Sequence, residues 1–153
     1  MHWTVAKTGA AETAGDLLVF PVFQVKDKAD LSPITSLTGG HGPDLGPIIK
    51  SGGFKGAEGS LLPVYCGGIK AGWTLLVGLG KIEEVGLETI RKAAGHVAKE
   101  ARKMNAGQVL VAVPATGAVA FDDESFARCW VEGAEMALSP IGELKTDKPK
   151  GKP

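Results

Sequence analysis

Apolar residues along this chain fall into two patterns: short unbroken runs, and stripes stepping by three and four. Unbroken runs read as strands covered on both faces, because such a strand has no polar side to show. The three clearest are Leu17-Leu18-Val19-Phe20-Pro21-Val22-Phe23, Trp73-Thr74-Leu75-Leu76-Val77-Gly78-Leu79-Gly80 and Val109-Leu110-Val111-Ala112-Val113-Pro114. Proline donates no ladder hydrogen bond, so Pro21 predicts an edge position or an early end for the first. Trp3 to Ala6 and Leu61 to Cys66, the latter interrupted by Pro63, read as two further strands.

The stripes mark helices. Leu87, Ile90, Ala94, Val97, Ala101 and Met104 share one helical face, and Asn105 to Gly107 end that helix. Asp122 or Asp123 caps a second helix carrying Phe126, Trp130, Ala134 and Leu138. Short helices are expected near Asp30 to Leu37, against the tendency of Pro33, and from Asp44 through Ile49, stopped by Gly52-Gly53. Gly67-Gly68 reads as a turn. Trp73 through Pro114 has the size of a βαβ unit, so its two strands should run parallel with a right-handed crossover. The prediction is an α/β fold of three layers, α/β/α, around a mixed, largely parallel sheet. Residues 1–144 form one domain, and 145–153, with four lysines and no apolar side chain, form a linker.

Composition narrows the function classes. The chain of 153 residues is long enough for one core, and 44% of it is apolar. Seventeen basic residues balance 17 acidic ones, which argues against a dedicated nucleic-acid binder. The apolar stretches reach about seven residues where a membrane helix needs about 20, and the start lacks a secretory pattern. Cytoplasm is therefore the expected location.

Candidate chemistry is sparse. His2, His41 and His96 lack the spacing of a zinc site, and Cys66 and Cys129 lack that of a metal or disulfide framework. Cys66, at a strand end, becomes a nucleophile only if a base such as His41 approaches it; otherwise it is a small buried hydrophobe, as Cys129 is expected to be. Gly78-Leu79-Gly80-Lys81 lies between a strand and a helix, where amides and a helix N-terminus hold phosphates. It lacks the third glycine of a dinucleotide fingerprint, and Glu83 and Glu84 oppose an anion. Thr116-Gly117-Ala118 is a similar loop. Arg91, Lys92, Lys99, Arg102 and Lys103 mark the outer side of the long helix, a solvated face or a phosphate contact. Glu88 and Lys92 have the spacing of a helix ion pair. No nucleophile elbow or paired catalytic carboxylates stand out.

The order of certain segments is more specific than any one of them. Asp16-Leu17-Leu18-Val19-Phe20, Ser51-Gly52-Gly53-Phe54-Lys55-Gly56, Gly68-Ile69-Lys70 and Leu75-Leu76-Val77-Gly78-Leu79-Gly80-Lys81 come first. Arg91-Lys92-Ala93-Ala94-Gly95, Val131-Glu132-Gly133-Ala134 and Leu144-Lys145-Thr146-Asp147-Lys148-Pro149 follow. Together they resemble the N-terminal domain of the leucyl (cytosol) aminopeptidase family of metallopeptidases. Gly53 departs from a commonly acidic position, and Ser139-Pro140-Ile141 from a stretch that commonly holds an aromatic residue.

The resemblance implies a macro-domain-like fold and a non-catalytic role supporting structure, regulation or assembly. It implies that two divalent metals, zinc or manganese, belong to a separate catalytic domain whose signature runs Asn-Thr-Asp-Ala-Glu-Gly-Arg-Leu. That run is absent from this sequence, so no metal or catalytic residue carries over. The implied partners are the catalytic domain and neighbouring subunits of a hexamer, with peptides as substrate. Some bacterial relatives bind DNA, which the zero net charge here does not favour. The alternative is a macro-like module binding ADP-ribose or another phosphate ligand through Gly78, Gly80, Lys81, Thr116 and Gly117.

Overall fold

The computed structural model describes residues 2–6, 14–31, 53–65, 70–71, 73–113 and 122–138. Its strands are β1 (His2–Ala6), β2 (Leu17–Val25), β3 (Lys28–Ala29), β4 (Leu61–Tyr65), β5 (Trp73–Lys81) and β6 (Gln108–Ala112), and its helices are α1 (Leu87–Lys103) and α2 (Asp123–Ala137). The sheet order is β1-β6-β2-β5-β4, with β3 attached to β2. Pairings β1–β6, β6–β2 and β2–β5 are parallel, while β4 runs antiparallel to β5 and β3 to β2. The α/β class and mixed, largely parallel sheet are those the sequence predicts.

β2 is the centre. Val19 stands beside Leu75 on one side and Val111 on the other. Leu17, Leu18 and Val19 have no solvent exposure, and the strand stays buried through Phe23. β5 and β6 are thus parallel, as expected of a βαβ unit, but β2 lies between them. Pro21 sits where β6 no longer pairs: that ladder stops at Val19, while the one with β5 continues to Gln24. The proline therefore ends one neighbour's ladder without ending the strand. Pro63 is exposed in β4, at the end of the sheet order, where a missing N–H is tolerated. A hairpin unforeseen in the sequence follows β2, with Lys26 and Asp27 both left-handed at φ 53° and 65°.

Side-chain alternation divides the core in two. Leu17, Val19, Leu75, Val77, Val109 and Val111 meet both helices. Leu18, Phe20, Leu76, Leu110 and Ala112 turn to the opposite face, where Phe54, Ala71 and Leu31 pack. The second face is as dry as the first, as three layers require. The expected helices near residues 30–37 and 44–49, and the Gly67-Gly68 turn, lie outside the described residues beyond Asp30 and Leu31.

Both helices follow their stripes. α1 buries Ile90, Ala93, Ala94, Val97, Ala98 and Ala101. α2 buries Phe126, Cys129, Trp130, Gly133 and Ala134, with Trp130 stacked on Phe126 at 5.7 Å and edge-on to Trp3 at 6.2 Å. The helices touch closely at Gly133, where an added Cβ would strike the Arg91 carbonyl. Arg91 also ties them by charge: its Nε donates to Glu132 at 3.1 Å and its Nη1 to Glu88 at 3.3 Å. Those contacts raise its pKa, the Glu132 hydrogen bond most. Glu88 thus takes Arg91 rather than the expected Lys92, because Arg91 lies at the helix contact. Asp16 pins the sheet's lower edge: its carboxylate accepts the N–H of Gly107 at 2.8 Å and of Gln108 at 2.9 Å.

Two outcomes are expected. Gly133→Ala lowers stability by about 1–3 kcal/mol in urea unfolding, because backbone rather than a flexible side chain must move; an unchanged midpoint contradicts the close crossing. The second concerns Asp122, whose carboxylate caps α2 by accepting the Ser125 N–H at 2.8 Å. That backbone bond holds its pKa below the usual 3.8. A lowered folded pKa adds stability above the unfolded value and loses it as pH falls through the folded one. Asp122→Ala should therefore lower the melting temperature at neutral pH, with the gap closing well below pH 3.8. An equal gap at both pH values contradicts the cap.

Candidate functional site

The phosphate-loop candidate turns out to be sheet. Gly78 and Gly80 lie inside β5, which ends at Lys81. A 3-10 turn, Ile82–Glu84, then leads to α1. Residues 54–60 cross beside this end of β5. Gly78 N–H donates to Ser60 O at 2.8 Å, Gly80 N–H to Gly56 O at 2.8 Å, and Gly59 N–H to Gly78 O at 3.1 Å. A Cβ on Gly78 would strike Ala57 O and Ser60 Oγ, so glycine is required by the crossing chain itself. Gly80 adopts φ +85°, where glycine alone is unstrained. Both amides that were candidates for a phosphate are bonded within the fold. Lys81 is exposed, followed by exposed Glu83 and Glu84.

Thr116, Gly117, Cys66 and His41 lie outside the described residues. Cys129 is fully buried beside Phe126 and Trp130, as its helical position predicts. His96 is exposed on α1, and His2 begins β1. Lys92, Lys99, Arg102 and Lys103 are exposed, whereas Arg91 is engaged with α2. Lys103 approaches Glu100 at 3.9 Å. No helix among the described residues is long and apolar enough to cross a membrane. Among them, too, no three His, Cys, Asp or Glu side chains gather so as to hold a metal ion. The side chains that do converge, Arg91 with Glu132 and Asp16 with two amides, have structural roles.

Known proteins give this architecture its context. The family described as "Cytosol aminopeptidase family, N-terminal domain" matches residues 19–148. A "probable cytosol aminopeptidase" of Thermosynechococcus vestitus is 33% identical over 149 residues, covering 96% of this chain and 29% of that protein. Another, of Aquifex aeolicus, is 30% identical over 125 residues, covering 82% of this chain and 24% of that protein. A third, of Alkaliphilus oremlandii, is 36% identical over 101 residues, covering 65% and 20%. This chain therefore spans between 20% and 29% of the length of these three relatives. In fold it is similar to a mutant of tomato leucine aminopeptidase, with a TM-score of 0.66 at 20% identity over 90% of this chain and 28% of that one. With the family's N-terminal region matched from the central strand to the far side of α2, the chain belongs to the cytosol aminopeptidase family as its N-terminal domain.

Proposed function

We infer that this chain is a non-catalytic domain of a metal-dependent leucyl aminopeptidase, serving its structure, regulation and assembly. The observation that carries this reading is the family match over residues 19–148 in a sequence without the run Asn-Thr-Asp-Ala-Glu-Gly-Arg-Leu. Residues 1–144 are the domain and 145–153 the linker toward a catalytic domain. That partner holds two divalent metals, zinc or manganese, which activate water for attack on the peptide carbonyl. The described residues here offer no ligand set for such a pair. The whole enzyme removes N-terminal residues from peptides in the cytoplasm and works as a hexamer, in which this domain contacts neighbouring subunits. A macro-like ADP-ribose module draws no support from Gly78 and Gly80, whose amides are already bonded.

Leucyl-p-nitroanilide hydrolysis by the 153-residue chain, with manganese or zinc added, tests the reading. The expected rate equals that of the metal blank. Turnover well above the blank, proportional to protein concentration, would overturn the non-catalytic assignment.

A further inference from the structure

Among the described residues, nothing covers the outer face of α1 and α2. There α1 presents Glu88, Lys92 and Lys99, and α2 presents Arg128, Glu132 and Glu135, all exposed. Met136 is 73% exposed, the most of any large apolar side chain described. It lies one turn past Glu132, on the side of α2 that reaches Arg91, so it stands at the valley between the helices. The helices run side by side in the same direction: Gly133 meets Arg91 and Ala137 lies near Gly95, at one common offset. That offset puts Met136 level with Ala94, Glu135 with Ala93 and Arg128 with Gly86. Gly95, half-buried and without a side chain, leaves a hollow on the α1 side of the valley.

Charge runs in opposite order on the two helices. From Glu88 to Lys92, α1 passes from acidic to basic; from Arg128 to Glu132 and Glu135, α2 passes from basic to acidic. A face with that pattern is complementary to itself, as an isologous contact requires. A second copy related by a two-fold axis parallel to the helices lays each α1 over the other's α2 without changing any residue's height. Arg128 then meets Glu88 of the second copy, Glu135 meets its Lys92, and Met136 covers its Gly95. An axis across the helices instead sets the basic stretch of α1 against itself. Lys92 and Glu135 have no ion pair of their own among the described residues, so both can take a partner. Toward the N-terminal ends, Glu124 approaches Glu83 and Glu84 of the second copy, and this repulsion confines the contact to the turns that follow.

We propose that two copies of this chain pair through the outer face of α1 and α2, about a two-fold axis parallel to the helices, with Met136 of each seated over Gly95 of the other. A face two helices wide and about four turns long is at the small end of protein interfaces, so the pair is weak and reversible. Its charged contacts are exposed, so salt weakens it further. The proposal goes beyond the function inferred above and does not rest on it; its failure leaves the domain assignment standing.

The test is sedimentation equilibrium of the full chain at low salt, repeated on Lys92→Glu, Glu135→Lys, the double reversal, Met136→Glu and Lys28→Glu. Expected is a monomer–dimer equilibrium with a Kd of about 0.1 mM. Each substitution counts twice in a symmetric pair, so Lys92→Glu, Glu135→Lys and Met136→Glu should each weaken it about tenfold or more. The double reversal should return the Kd to within about threefold of the parent, because unlike charges again face each other. Lys28→Glu, an equal charge change on the β2–β3 hairpin, should leave it unaltered. A chain that stays monomeric to about 1 mM overturns the proposal. So does a dimer that Met136→Glu leaves intact, and so does a double reversal that pairs no better than the weaker single variant.

Discussion

One strand has to be kept dry on both faces. β2 carries seven consecutive buried residues with parallel neighbours on either side, so its backbone is satisfied only within a sheet and its side chains only between two layers. β5 and β6 flank it, α1 joins them over one face, and α2 fills the rest of that face. Phe54, Ala71 and Leu31 belong to the opposite layer. Asp16 fixes where β2 starts by holding the two amides that open β6. The residue leading into the apolar run is thus a clamp between neighbouring strands.

The same requirement explains the glycines around β5. A segment crossing beside the strand at 54–60 leaves no room for a side chain at Gly78 and draws Gly80 into a left-handed backbone. In sequence, a glycine required by a crossing chain is indistinguishable from one that cradles a phosphate. Gly78-Leu79-Gly80-Lys81 therefore left a phosphate loop open beside a plain glycine turn, and only tertiary hydrogen bonds show where the Gly78 and Gly80 amides point.

What was legible follows from which interactions are local. Apolar runs of six to eight residues and three-four stripes specify β2, β5, β6, α1 and α2 without reference to the rest of the chain. A cap at Asp122 or Asp123 was equally legible, because capping is local; the structure selects Asp122, whose partner Ser125 is three residues away. Strand order was not, since nothing in a run names its neighbours; that β2 separates β5 from β6 is a property of the sheet. The β2–β3 turn escaped notice because Lys26-Asp27 lacks the glycine that usually marks left-handed residues. Glu88 had two cations within reach, and Arg91 prevailed over Lys92 through a contact with Glu132, 41 residues on. The family came from the order of segments, each unremarkable alone.

The central claim is that this chain is an α/β domain organised by β2, and native-state hydrogen exchange tests it most directly. Amides of β2 and the facing residues of β5 and β6 should exchange slowest, opening only in the global transition and with one common free energy. Exchange of the β2 amides through a local opening, while α2 stays protected, would contradict the account.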